Sequence, residues 1–136
     1  MIVLDASAAV DLLLRNAQGR VVASHIGGED LATVAHLDAE VLGALARLHR
    51  DGAIEPEAVL TRIRLLAELD IERLPITGLL LEAAWRLRDN VAIRDALYVA
   101  AARALRAQLV TTDQRLRHAV GDLAVDFGSA ATGAGS

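Results

Sequence analysis

Two aspartates in this chain stand where an apolar run stops: Asp5 directly after Ile2-Val3-Leu4, and Asp113 after Leu109-Val110-Thr111-Thr112. In open α/β sheets the strand ends open into the ligand crevice, so both carboxylates are expected on one edge of a sheet. Each also occupies a position where Asp favours capping the helix that follows. Glu40 shares a helical stripe with Leu37, Val41 and Ala44, the face meant for the core, where a carboxylate needs a partner or a cation. The other reading of Glu40 is a helix-edge side chain whose stem lies over apolar surface with its head in water. Asp95 falls in the first turn of a helix, where the dipole favours an acid, and it shares a stripe with Tyr98, Val99 and Ala102. If the four converge, any two carboxylates about 4 Å apart repel by roughly 4 kcal/mol at an effective dielectric of about 20. Such a cluster takes up protons or holds a cation. All-oxygen sites suit Mg²⁺ or Mn²⁺, and those ions assist the attack of water on a phosphodiester. The chemistry that fits is metal-assisted hydrolysis of a phosphate backbone.

Composition removes most other mechanisms. The 136 residues include no Cys, so disulfides, thiolate metal sites and a Cys nucleophile are excluded. All the Lys and Arg positions are Arg, which rules out any mechanism that needs a Lys. A phosphorelay receiver domain and a haloacid-dehalogenase-type phosphatase both lack their Lys here. The tripeptide Asp5-Ala6-Ser7 also replaces the Asp-x-Asp pair of the latter. Neither Gly-x-x-x-x-Gly-Lys nor Gly-x-Gly-x-x-Gly occurs. The net charge of −4 argues against nonspecific nucleic-acid binding by the whole surface, so phosphate contacts would require a local Arg patch.

The elements that must position these acids follow from periodicity. Short strands are predicted over 2–4, 31–34, 71–76, 108–111 and 123–127, and helices over 6–14, 16–26, 36–49, 57–69, 77–87, 93–106 and 113–119. Pro75 suits an edge strand, and Gly27-Gly28 ends the second helix. Alternating strands and helices predict a three-layer α/β sandwich around a mostly parallel sheet. More than half of the residues are apolar (54%), enough for one core, so residues 1–127 are read as one domain and 128–136 as a flexible tail. The start, Met1-Ile2-Val3-Leu4-Asp5, has no basic n-region, and the apolar runs fall short of the roughly 18 residues of a membrane span. A soluble cytoplasmic protein is expected.

Three stretches resemble the PIN-domain family, specifically its VapC-type toxins. Ile2-Val3-Leu4-Asp5-Ala6-Ser7-Ala8 is similar to the family's opening strand and first acid, and Asp38-Ala39-Glu40-Val41 to the segment bearing the second. Arg94-Asp95-Ala96-Leu97-Tyr98-Val99-Ala100-Ala101-Ala102, followed by Leu109-Val110-Thr111-Thr112-Asp113-Gln114-Arg115-Leu116, is similar to the longest family signature. The resemblance implies a PIN-like sandwich and an endoribonuclease acting on tRNA, rRNA or mRNA. It implies that Asp5, Glu40, Asp95 and Asp113 form a catalytic quartet binding one or two Mg²⁺ or Mn²⁺ ions, with Ser7 and Thr111 beside them. It also implies a homodimer silenced by a VapB-type antitoxin whose C-terminal segment covers the site. The rival within the same fold is an inactive protein-interaction module; four converging acids argue against it, since each costs stability.

The remaining candidates carry less. Asp38 is read two ways, as a further acid of the site or, since two residues before Glu40 on a helix it points elsewhere, as a helix-start acid, the favoured reading. Asp11, Asp89 and Asp122 read as surface, and His25, His36, His49 and His118 as surface or ordinary packing. Trp85 and Tyr98 read as core or dimer-interface residues rather than base-stacking platforms. Arg94 and Arg115, which flank two of the acids, are the first candidates for RNA contacts, and Arg15 and Arg117 the next.

Overall fold

A computed structural model describes residues 1–127; the tail expected over 128–136 lies outside the described residues. Among these residues four strands, β1 (Ile2–Leu4), β2 (Leu31–Val34), β3 (Glu72–Leu74) and β4 (Gln108–Val110), form one sheet in the order β3-β2-β1-β4. Every neighbouring pair is parallel, so the sheet is wholly rather than mostly parallel. β1 sits inside the sheet, and all three of its residues are buried, as an uninterrupted apolar strand in a parallel sheet must be. The outer strands carry exposed Glu72 and Gln108, polar residues that suit an edge. β3 is shorter than the expected 71–76: the Ile71 N–H turns back to the Leu69 carbonyl, and Pro75 has no N–H to continue the ladder.

Among the described residues seven helices flank the sheet: α1 (Ala6–Leu14), α2 (Ala17–Ile26), α3 (Leu37–Arg50), α4 (Pro56–Glu68), α5 (Gly78–Arg86), α6 (Ile93–Leu105) and α7 (Gln114–Val120). The result is an α/β sandwich. The helix α6 packs on β1, β2 and β4, and its buried face, Ala96 and Tyr98 to Ala102, is mostly alanine. Small side chains let the helix lie close to the strands, and one large residue, Tyr98, fills what remains. Among the described residues no helix is long and apolar enough to cross a membrane.

Two expectations need correction. Residues 123–127 do not form a strand. Gly121–Leu123 is a 3-10 turn, entered through Gly121 at φ 58°, a value glycine adopts without cost. The following backbone touches β4 only through the bridge from Leu109 to Ala124 and the Val125 N–H bond to the Leu109 carbonyl. Phe127 ends the segment by packing edge-on against His25 and beneath Arg117. Of the two readings of Trp85, core or dimer interface, the core one falls: it is 60% exposed on α5, with the Arg88 guanidinium 4.6 Å from its ring centre.

Parallel topology is what positions the site. All four strands end on the same edge, so Asp5 after β1, the start of α3 after β2, and Asp113 after β4 lie along it. The helix α6 precedes β4 and must run back against it, which brings the α6 N-terminus, and Asp95 with it, to that same edge.

Candidate active site

Asp5, Glu40, Asp95 and Asp113 all line one cleft of about 330 Å³, together with Ser7, Asp11, Arg47 and Arg94. A second hollow of about 230 Å³ adjoins it, sharing Arg94, Asp95 and Asp113 and adding Arg115. Arg15 and Arg117 line neither, and Arg117 lies 3.5 Å from Asp126. Asp38 faces the other flank of α3, where Arg73 of β3 grips both its oxygens at 2.7 and 3.0 Å.

Asp5 is the most constrained acid. It is 2% exposed and caps α1, Oδ1 accepting from the Ala8 N–H at 2.9 Å and from the Ser7 hydroxyl at 2.8 Å. Its Oδ2 accepts from the Thr111 hydroxyl at 2.5 Å. Ser7 and Thr111 also touch, at 3.1 Å, and Ser7 Oγ accepts the Thr112 N–H. The ends of β1 and β4 are thus stitched together around one carboxylate, while Thr33 of β2 donates to the Leu4 carbonyl just before it. Asp113 caps α7, its Oδ1 accepting from the Arg115 and Leu116 N–H groups. Capping and cleft lining therefore coexist in both aspartates.

Glu40, in the first turn of α3, is held by two rings. Tyr98 of α6 donates its hydroxyl to Glu40 Oε1 at 3.1 Å, and His36 Nε2 lies 2.7 Å from the same oxygen. Both ring nitrogens of His36 are buried and neither makes an aligned hydrogen bond, so Nε2 meets Glu40 as a close contact. Three residues read from the sequence as surface or packing belong to this neighbourhood: His36, Tyr98 and Asp11. The Asp11 carboxylate accepts from Thr112 at 2.6 Å and from Asn16 at 2.8 Å. Arg47, not singled out by its sequence, lines the cleft as well. Helical spacing carried the signal for each: Asp11 is one turn beyond Ser7, Tyr98 one turn beyond Asp95, and Glu40 lies one turn after His36 and two before Arg47.

The acids of the cleft hold their protons more tightly than free carboxylates. Burial pushes Asp5 from 3.8 up to about 6, against the bonds from Thr111, Ala8 and Ser7, and the Asp95 charge adds to the rise. Asp95 is also raised, by burial first and by Asp113 and Glu40, with Arg94 opposing. Among the described residues no three Asp, Glu or His side chains are gathered closely enough to hold an ion as they stand. Like charges without a cation keep apart, and Mg²⁺ keeps several waters and takes only one or two carboxylates directly. An open, all-oxygen donor set around one cleft fits that habit better than a closed cage.

The shift of Asp5 fixes a sign. Its folded value lies above the unfolded one, so between about pH 4 and 6 the folded state binds more protons, and its stability falls as pH rises through that window. A displacement from 3.8 to about 6 corresponds to about 3 kcal/mol. Urea unfolding of the metal-free protein at pH 4.5 and 7 should show this loss, and Asp5→Asn should flatten it. Equal pH dependence in both proteins would mean that Asp5 carries no such burden.

The PIN domain profile matches residues 2–121. The chain is 39% identical over 119 residues to ribonuclease VapC3 of Mycobacterium tuberculosis, covering 87% of this chain and 86% of that protein. It is 37% identical over 122 residues to ribonuclease VapC12 of the same species, covering 89% and 93%. It is 42% identical over 119 residues to the VapC ribonuclease Mb0985 of Mycobacterium bovis, covering 85% and 88%. With a parallel sheet that delivers four separated acids to one edge and relatives matched along most of their length, this chain belongs to the PIN-domain family, among its VapC ribonucleases.

Proposed function

We propose that this protein is a Mg²⁺- or Mn²⁺-dependent endoribonuclease, the toxin of a toxin–antitoxin pair, acting in the cytoplasm. The observation that carries the reading is the convergence of Asp5, Glu40, Asp95 and Asp113 on one cleft. In this reading the four acids would hold the cation, one or two directly and the others through its waters, and Ser7 and Thr111 hold Asp5 by hydrogen bonds. When bound, the ion supplies charge neutralisation at the scissile phosphate and activation of the attacking water.

The chain's own side chains do the rest. Ser7, Thr111 and the Ala8 N–H fix Asp5 in one orientation before substrate arrives, so no reorganisation is needed during the reaction. Arg94 and Arg47 sit in the cleft, and Arg115 in the adjoining hollow. In this reading they bind phosphates of the RNA, the sequence-independent part of its affinity. An antitoxin of the VapB type would silence the site by laying a basic side chain among these acids. The exposed Leu79, Leu81 and Trp85 of α5 support a homodimer that covers them.

The test is direct. Purified protein incubated with end-labelled RNA should cut it in Mg²⁺ or Mn²⁺ and stop when EDTA is added. Cleavage that continues at the same rate in EDTA refutes the metal requirement. RNA left intact at every metal concentration would favour the inactive interaction module instead.

A further inference from the structure

We propose that Tyr98 and His36 are positioning residues that fix the Glu40 carboxylate, turning one of its oxygens to the cleft; this rests on the metal-dependent reading above. The two reach the same atom from different sides, Tyr98 from α6 and His36 from the cap of α3. Tyr98, 1% exposed on α6, donates to Glu40 Oε1 at 3.1 Å. His36, one turn before Glu40, places Nε2 at 2.7 Å from that oxygen. The two rings stack on each other, with centroids 4.7 Å apart and planes at 28°. With Oε1 taken by both rings, Oε2 is the oxygen left for the cleft that Glu40 lines.

Packing alone does not explain this arrangement. A Phe would fill the space beneath α6 as well as Tyr98, without the cost of burying a hydroxyl. The hydroxyl instead finds its partner in an acid of the cleft. A phenol hydroxyl is protonated at neutral pH, so Tyr98 remains a donor to this carboxylate. A Glu side chain has three rotatable bonds to freeze, and a tyrosine bond with a stacked imidazole removes that freedom before an ion arrives. Groups that orient a metal-binding side chain in this way commonly change metal affinity when lost.

Calorimetric titration of Mn²⁺ into the RNA-free protein provides the readout, with melting temperature in EDTA as the control for folding. Tyr98→Phe should weaken Mn²⁺ binding by about 10- to 100-fold while the EDTA melting temperature stays near the wild-type value. His36→Phe, which keeps the stack and removes the nitrogen, should weaken it in the same sense. In a Glu40→Gln background neither substitution should weaken binding further, because both act through the carboxylate that is no longer there. Asp95→Asn, titrated alongside, separates the two ideas. If Asp95→Asn loses Mn²⁺ and both ring variants bind it like wild type, the positioning role is overturned alone. If Asp95→Asn also binds like wild type, the metal reading falls with it. A loss in Tyr98→Phe that persists undiminished in Glu40→Gln would show that the tyrosine acts on something other than Glu40.

Discussion

Replacing Asp95 by Asn should lower the rate of RNA cleavage by about a thousandfold or more, while leaving the metal-free protein at least as stable as before. The two effects have opposite signs because Asp95 is unfavourable for folding in its present setting. It is half-buried at the start of α6, and burial together with the charges of Asp113 and Glu40 disfavours its ionised form, with only Arg94 opposing. Asn keeps the shape and removes the repulsion. A residue kept for folding would show the reverse: loss of stability first, with loss of activity following from it. Melting curves in EDTA and in excess Mn²⁺ complete the case. Wild-type protein should gain melting temperature as Mn²⁺ is added, since ligand binding to the folded state stabilises it, and Asp95→Asn should lose most of that gain. Cleavage at the wild-type rate by folded Asp95→Asn would remove this residue from the mechanism, whatever the others do.

Asp95 is a better probe than Asp5. The Asp5 carboxylate caps α1 and ties β1 to β4 through Ser7 and Thr111, so its replacement confounds geometry with chemistry. Asp113 has the same difficulty at the start of α7. Glu40 and Asp95 cap nothing with their side chains; Glu40 instead accepts from Tyr98.

The legible and the hidden parts of this molecule divide along physical lines. The apolar runs ending in Asp5 and Asp113 could be read because a buried parallel strand is mostly apolar and carries no acid, so the first acid after it marks the sheet edge. Glu40 was readable from its helical stripe, and β3 as an edge strand from Pro75. What could not be read was contact between elements far apart in the chain. Periodicity puts His36 and Glu40 on one face of α3 and Asp95 and Tyr98 on one face of α6. It says nothing of how those faces meet, and the bond from Tyr98 to Glu40 spans 58 residues. Asp11 was misread as surface because its partner, Thr112, lies 101 residues away. The segment 123–127 misled for another reason. Leu123, Val125 and Phe127 alternate as a strand would, but β4 offers it a single bridge, and a glycine at positive φ starts a tight turn just before it.

Local propensity also gives the wrong answer at Gly19. This residue lies in α2, and glycine inside a helix costs about 1 kcal/mol relative to alanine, so Gly19→Ala ought to stabilise the protein. The structure reverses that expectation. A Cβ built on Gly19 would stand 1.9 Å from the Asp11 carbonyl oxygen and 2.5 Å from its carbon, so α1 and α2 meet there backbone to backbone. No side-chain rotation relieves such a clash; one helix has to move. Overpacking of this kind costs typically 1–3 kcal/mol and sometimes more, and we expect Gly19→Ala to destabilise by about 3 kcal/mol net, lowering the melting temperature by about 10 °C. Gly43 is the control. A Cβ there meets only the end of the Arg47 side chain, at 3.6 Å, an ordinary contact, so Gly43→Ala should be neutral or slightly stabilising. The displaced backbone at Gly19 belongs to Asp11, whose carboxylate holds Thr112 beside Asp113. Gly19→Ala should therefore lose cleavage activity at temperatures well below its own melting point, where the fraction unfolded is negligible. Full activity under those conditions, with the melting temperature lowered as expected, would separate the packing of α1 on α2 from the geometry of the cleft.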